Sequence, residues 1–282
     1  DSEQGLAWGF AQTITVLQPG RSVAVPLEET TDTVRGTLQL RILGMSDQGA
    51  RPVAGAHVVL TASTGLDYRA LTVEGVTDDD GRVVPIGGAG ELTVLAARYH
   101  VLIEPPITGP WQVGRTRLDL SQVANKLIVD KQLELAAKVR VRGTVVSRQG
   151  QPVTEARLRF TPLDGSPRTT SGTTDSAGAY DVLLDAGSYV VTVAPTPNSR
   201  VNEPLPVGAA RLDVAADAGQ RDVERLVLPA GSILRATLRD VRGAPVTDAA
   251  VELYTRLEGV PISLGRTTSD AKGDVELIVP VQ

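Results

Sequence analysis

The chain has no cysteine, two histidines and one methionine among its 282 residues. Without a thiol there is no cysteine nucleophile, no thiolate-bound zinc, no disulfide and no lipid-modified N-terminal cysteine. Aromatic residues are 3% of the chain, so a flat row of rings for stacking on sugars has little to draw on. The net charge is −5, the isoelectric point is about 5.2 and no basic cluster appears. Those three facts exclude a nucleic-acid partner, which needs a basic face to displace phosphate counterions. No apolar run reaches the length of about 18 residues that a membrane-spanning helix requires. The chain opens Asp1-Ser2-Glu3, without Met or a signal sequence, which predicts a processed or trimmed product.

What is present points to one fold class. The chain is 41% apolar and 22% charged, which is the balance of a folded protein, and its 28 Gly and 18 Pro call for many turns between short elements. That mixture reads as all-β, and the length predicts two or three compact units.

An internal repeat gives the organisation. Its clearest copy runs Val141 to Val145, then Gly150-Gln151-Pro152-Val153, then Ala156 to Phe160, then Thr174-Asp175-Ser176-Ala177-Gly178, then Gly187 to Val191. The first copy matches at Val34 to Leu38, Pro52-Val53, Ala56 to Leu60, Thr77 to Gly81 and Tyr99 to Val101; the third at Leu234 to Leu238, Gly243 to Val246, Ala249 to Leu253 and Ser269 to Gly273. From Pro52 to Asp78, Pro152 to Asp175 and Pro245 to Asp270 the intervals are 26, 23 and 25 residues. An Asp at the start of a turn accepts hydrogen bonds from the backbone two residues on, and Gly three residues later tolerates positive φ, so Asp-x-x-Gly is expected to close a hairpin. The flanking runs alternate with period two. Val58, Leu60, Leu158, Phe160, Val251 and Leu253 are therefore expected to face a core, and Arg157 and Arg159 to face water.

This order of motifs resembles the carboxypeptidase regulatory-like domain, a transthyretin-like β-sandwich of secreted and surface proteins, similar also to Cna-type B modules. The resemblance implies tandem Greek-key sandwiches: residues 1–33 as an N-terminal strand pair, 34–137 and 138–230 as complete modules, and 231–282 as a third, incomplete one. Fold does not name function here, because such modules serve as spacers, stalks and enzyme accessories.

A second repeated element lies between the modules. Leu118 to Leu120 followed by Lys126 to Leu135, and Leu212 to Val214 followed by Asp222 to Leu228, each read as a strand pair that the resemblance assigns to the preceding sandwich. Ile14 to Leu17 followed by Ser22 to Leu27 is a third copy, with no module before it in this chain. The third module stops after the run equivalent to Tyr180 to Leu184. Two expectations follow: an interior piece of a longer array, or strand exchange in which Ile14, Val16, Val23 and Val25 of one molecule complete the third module of the next, giving head-to-tail association.

Candidate chemistry is thin. His57 and His100 occupy positions expected to be solvent-facing. Tyr68, Tyr99, His57 and His100 could be read as a dioxygenase-type iron set, but the Tyr-x-x-His-x-His run of such enzymes has no counterpart. The terminal Tyr-Arg-Gly-Ser motif of transthyretin-like hydrolases is absent, as is a G-x-S-x-G elbow. Asp78-Asp79-Asp80 lacks the ligand spacing of a calcium loop and reads as a solvated turn. Gly87-Gly88-Ala89-Gly90 lies between strands, not before a helix, so it reads as a hairpin loop, not a phosphate cradle. Lys138 and Asn198 flank the second copy as a possible isopeptide pair, without equivalents in the other copies. Tyr99 and Tyr189 are expected to be buried with satisfied hydroxyls. Trp8 and Trp111, outside the repeated motifs, are the expected exposed platforms for a partner.

The reading is therefore a non-catalytic, extracytoplasmic bacterial array, with no cofactor and no metal, that contacts other protein subunits or domains of its own array. Polysaccharide binding and service as the accessory region of a secreted enzyme are the alternatives.

Overall fold

The computed structural model describes residues 35–63, 70–88, 90–121, 128–199, 204–216, 220–222 and 225–281. The chain is all-β and divides into two compact units, 1–137 and 138–282.

The first unit is a two-sheet sandwich. Its strands are β1 (Arg35–Ser46), β2 (Gly49–Pro52), β3 (His57–Ser63), β4 (Ala70–Thr77), β5 (Val83–Pro85), β6 (Leu92–Leu95), β7 (Arg98–Glu104), β8 (Gly114–Asp119) and β9 (Ile128–Ala136). One sheet joins β2, β1 and β6, with β9 along β1; the other has the order β5-β4-β3-β7-β8. Alternation decides what lies between them: Leu38, Leu40 and Ile42 from one sheet meet Val58, Leu60, Tyr99, Val101 and Ile103 from the other, all buried. The strand pair after Tyr99 closes this sandwich, one strand per sheet. β8 adds to the edge of β7, whereas β9 crosses over and runs parallel to β1, from Thr37 opposite Ile128 to Met45 opposite Ala136.

The second unit begins with the same plan: β10 (Val139–Val146), β11 (Arg157–Pro162), β12 (Thr170–Thr173), β13 (Ala179–Leu184), β14 (Gly187–Ala194), β15 (Gly208–Val214), β16 (Gln220–Asp222) and β17 (Leu226–Val227). The sheet β12-β11-β14-β15 packs on β13-β10, whose far edge takes β16 and β17 in parallel. Leu158 and Phe160 are buried, and Arg157 and Arg159 are exposed. The third repeat follows with β18 (Gly231–Thr237), β19 (Ala250–Leu257), β20 (Val260–Thr268) and β21 (Asp274–Pro280), as the pairs β18-β21 and β19-β20.

The Asp-x-x-Gly turns work differently from the hairpin expectation. Each Asp carboxylate does accept the backbone N–H two residues on: Asp80 onto Asp78 at 3.0 Å, Ala177 onto Asp175 at 2.8 Å and Lys272 onto Asp270 at 2.8 Å. Only Asp78–Gly81 joins two strands that pair with each other, β4 and β5. The turns at Asp175 and Asp270 carry the chain from one sheet to the other, from β12 to β13 and from β20 to β21. The reason is docking onto the opposite sheet. The carbonyls of Gly81, Gly178 and Gly273 accept the N–H groups of Ile42, Val145 and Leu238 at 2.7, 2.8 and 2.8 Å.

A buried hydroxyl fixes the same corner. Thr174 Oγ1 donates to the Val153 carbonyl at 2.7 Å and accepts the Ala156 N–H at 2.8 Å, and Ser269 makes the equivalent bonds to Val246 and Ala249. Thr77 accepts the Ala56 N–H at 2.7 Å. The residue before each turn Asp thus satisfies backbone groups of the segment that leads into β3, β11 or β19.

Candidate functional site: the open flank of the third repeat

The residues singled out by type are absorbed into the scaffold. Tyr99 is buried, its hydroxyl donating to the Leu95 carbonyl and accepting the Leu95 N–H; Tyr189 is buried and donates to the Asp185 carbonyl at 2.9 Å. The Asp78 carboxylate is occupied by the N–H groups of Asp80 and Arg82 in a solvent-exposed turn. Gly87, Gly88 and Gly90 lie in the loop between β5 and β6. Among the described residues no three His, Cys, Asp or Glu side chains are grouped to hold a metal ion. Lys138 and Asn198 sit at opposite ends of the second sandwich. Lys138 immediately precedes the Val139–Leu184 end of β10, where burial pulls its pKa down, Arg168 adds to that and Asp185 opposes it. Asn198 donates to Glu155 at 3.0 Å beside the Thr174 corner.

Trp111 is not the exposed platform its position suggested. It is 9% exposed and lies over Gly44, where an added Cβ would meet the indole at 2.2 Å. Gly44 leaves the gap and the indole fills it, which removes Trp111 from solvent. Trp8, Ile14, Val16, Val23, Val25 and Tyr68 lie outside the described residues.

His57 is half-buried on the outer face of the β3–β4–β7 sheet, with Nε2 3.4 Å from Glu74 and Nδ1 3.7 Å from Glu104. Further along that face His100, Arg115 and Arg117 border a shallow hollow floored by Val59 and Leu102. Neither group brings a nucleophile, base and orienting residue together.

The distinctive surface is in the third repeat. Positions equivalent by the repeat alignment have opposite environments in the two copies. Val141 is 0% exposed and its counterpart Leu234 is 44% exposed; Phe160 is 0% exposed and its counterpart Leu253 is half-buried. Leu158 and Val145 are buried, whereas Val251 and Leu238 are half-buried. The expectation that Val251 and Leu253 lie in a closed core therefore fails. The cause is visible in the second repeat, where Val191 and Val193 of β14, Leu212 and Val214 of β15 and Leu228 after β17 cover that side of the core. Among residues 231–281 no strand takes those places.

Two backbone edges are open as a result. β11 has β12 on one side and β14 on the other, but β19 has β20 alone; β10 has β13 on one side and β16 and β17 on the other, but β18 has β21 alone. The third repeat is nonetheless anchored to the second. The Gly231 N–H donates to the Pro204 carbonyl at 3.1 Å, Arg211 lies 3.6 Å from Glu258, and Ile262 is 3% exposed beside an apolar cleft of about 310 Å³ bounded by Val193, Leu228 and Leu257. Sequence alternation located the strands of this flank but not its exposure.

No family model matches the chain. The minor pilin GBS52 of Streptococcus agalactiae is similar over 69% of this chain and 96% of its own, at 13% identity and a TM-score of 0.43. The shaft pilin SpaA of Lactobacillus rhamnosus GG is similar over 72% and 99%, at 15% identity and a TM-score of 0.30. The TIE protein of Bacillus anthracis is similar over 88% of this chain, at 17% identity and a TM-score of 0.29, and the chain spans 44% of its length.

Proposed function

We propose that the chain is a non-catalytic, extracytoplasmic array of β-sandwich repeats, built into a bacterial surface assembly, whose third repeat is covered by strands from outside residues 231–281. One observation carries this reading: a half-exposed core face bounded by two open strand edges, beside a sandwich of the same plan in which both are covered. An open edge offers a full row of backbone donors and acceptors, and alternate apolar side chains beside it select the strand that binds. Tyr99 and Tyr189 are committed to packing, and Asp78 to its own turn. With Trp111 buried, a stacking platform for polysaccharide loses its main candidate.

Hydrogen exchange tests the reading. In the dilute full chain the amides along the open edges of β18 and β19 are expected to exchange faster than the equivalent amides of β10 and β11. Equal protection in a monomer would show that the flank is closed and would sink the reading.

A further inference from the structure

We infer that the outer face of β7 and β8 in the first sandwich, where His100 and Arg117 stand side by side, is a docking surface for an acidic hairpin turn of a partner protein. The surface belongs to the first sandwich and does not depend on what covers the third repeat. Alternation puts Tyr99, Val101 and Leu118 in the core, so His100 and Leu102 of β7 and Arg115 and Arg117 of β8 point the other way. Arg117 lies opposite His100 and Arg115 opposite Leu102, and Thr61 and Val59 of β3 continue the two rows. The result is a hollow of about 380 Å³ with an apolar floor and a basic rim, on which His100 and Arg117 are both exposed.

The second repeat shows what such a place holds. Aligning Leu118 to Leu120 with Leu212 to Val214, and Tyr99 with Tyr189, makes Arg211 the counterpart of Arg117 and Val190 the counterpart of His100. Val190 faces away from its core and is still 0% exposed, so this spot of the outer face is covered. Arg211 there lies 3.6 Å from the carboxylate of Glu258, and Glu258-Gly259 is the tight turn between β19 and β20. One exchange of residues sets the two arginines apart. In the second repeat Ser188 and Arg211 share Asp213. The counterpart of Ser188 is Arg98, which takes Asp119 at 3.1 Å, and Ser121 holds the same carboxylate. Among the described residues no carboxylate pairs with Arg117. An exposed guanidinium beside an apolar floor binds a carboxylate through its two-pronged fork, and a hairpin turn is the form in which this protein offers one to the equivalent arginine. No Trp, Tyr or Phe lines the hollow, which disfavours stacking of a sugar ring.

The probe is residues 253–264 made as a cyclised, dye-labelled peptide, which carries Glu258 in its own turn. Fluorescence anisotropy with the full chain should show saturable binding. Glu258→Gln in the peptide and Arg117→Ala in the protein should each weaken it about tenfold, the scale of one charge-assisted pair. Arg117→Lys, which keeps the charge without the fork, should fall between. Arg51→Ala removes an exposed arginine from the other sheet of the same sandwich and should leave binding unchanged. Arg117 is exposed, so its variants should melt with the wild type, and amide shifts on adding peptide should centre on residues 100–102 and 115–117. No binding, equal binding of the Glu258→Gln peptide, equal binding by Arg117→Ala or shifts centred on another face overturns the inference. So does an oligogalacturonate that binds this face more tightly than the peptide, which would make the hollow a polysaccharide site.

Discussion

Gly178 meets two demands at once: its φ is +72°, and an added Cβ would come within 2.6 Å of the Val145 carbonyl oxygen. Gly150 has φ +79° and open space around it. Gly150→Ala should therefore cost about 1 kcal/mol, from left-handed backbone strain alone, and Gly178→Ala about 3 kcal/mol, with overpacking added. Urea melts of the two variants make the comparison, and equal costs would mean that the docked turn has room to spare. Tyr180 offers a second test. Its hydroxyl is buried without a hydrogen-bond partner among the described residues, against Gly143, where any Cβ would sit 2.5 Å from it. Burial pushes its pKa up to about 12. A tyrosine ionising near 10 when unfolded and near 12 when folded gives its full stability below pH 10 and loses it as the pH rises toward 12. Tyr180→Phe should leave stability at pH 7 unchanged or raised, because it removes a hydroxyl that bonds to nothing described. It should also flatten the alkaline loss, with Tyr189, whose pKa burial also raises, keeping a share. Both are read from denaturant melts across the alkaline range. Sequence marked Gly178 through its turn motif. It could not mark Tyr180, since nothing local shows that a glycine on another strand makes its space.

Strand faces were legible because alternation is a local property. Leu158 and Phe160 point inward and Arg157 and Arg159 outward, as period two requires. Phe160→Ala should cost about 3–5 kcal/mol through lost burial and the remaining cavity, and Arg157→Ala less than about 0.5 kcal/mol at an exposed site; similar midpoints in urea would reverse the assignment of faces. Other elements were hidden. β20 follows a two-residue turn, Glu258-Gly259, with both φ values positive at 51° and 80°. Glu stands where Asn, Asp or Gly usually marks such a hairpin, so the local turn signal is weak. The hydroxyl latch was equally silent, because Thr174 meets Ala156 only across the fold. Thr174→Val keeps the shape but strands the Val153 carbonyl and the Ala156 N–H, and should cost about 1–3 kcal/mol. Thr174→Ser should retain most of the stability, since Ser269 performs the same task in the third repeat.

Among the described residues no three His, Cys, Asp or Glu side chains are grouped to hold an ion. Adding EDTA should leave the melting temperature unchanged; a clear drop would reveal oxygen ligands, first of all Asp78 to Asp80. A motif count needs no geometry, and it located strands in each copy of the motif, among them β1, β10 and β18. What the count could not supply was direction: that the last strand of a repeat lies parallel to its first depends on a crossing between sheets. That crossing governs when a repeat can fold. Thr37 waits for Ile128, 91 residues later, so β1 keeps an empty edge while almost the whole repeat leaves the ribosome. Pairing over such a span is slow to nucleate. During synthesis the first sandwich passes through an incomplete state with the outer edge of β1 exposed. Its time in that state is set by the rate at which its final strand is made. A pause taken while residues 104–136 are emerging from the ribosome should therefore raise aggregation of nascent chains more than an equal pause after Ala136 has emerged and can pair with β1.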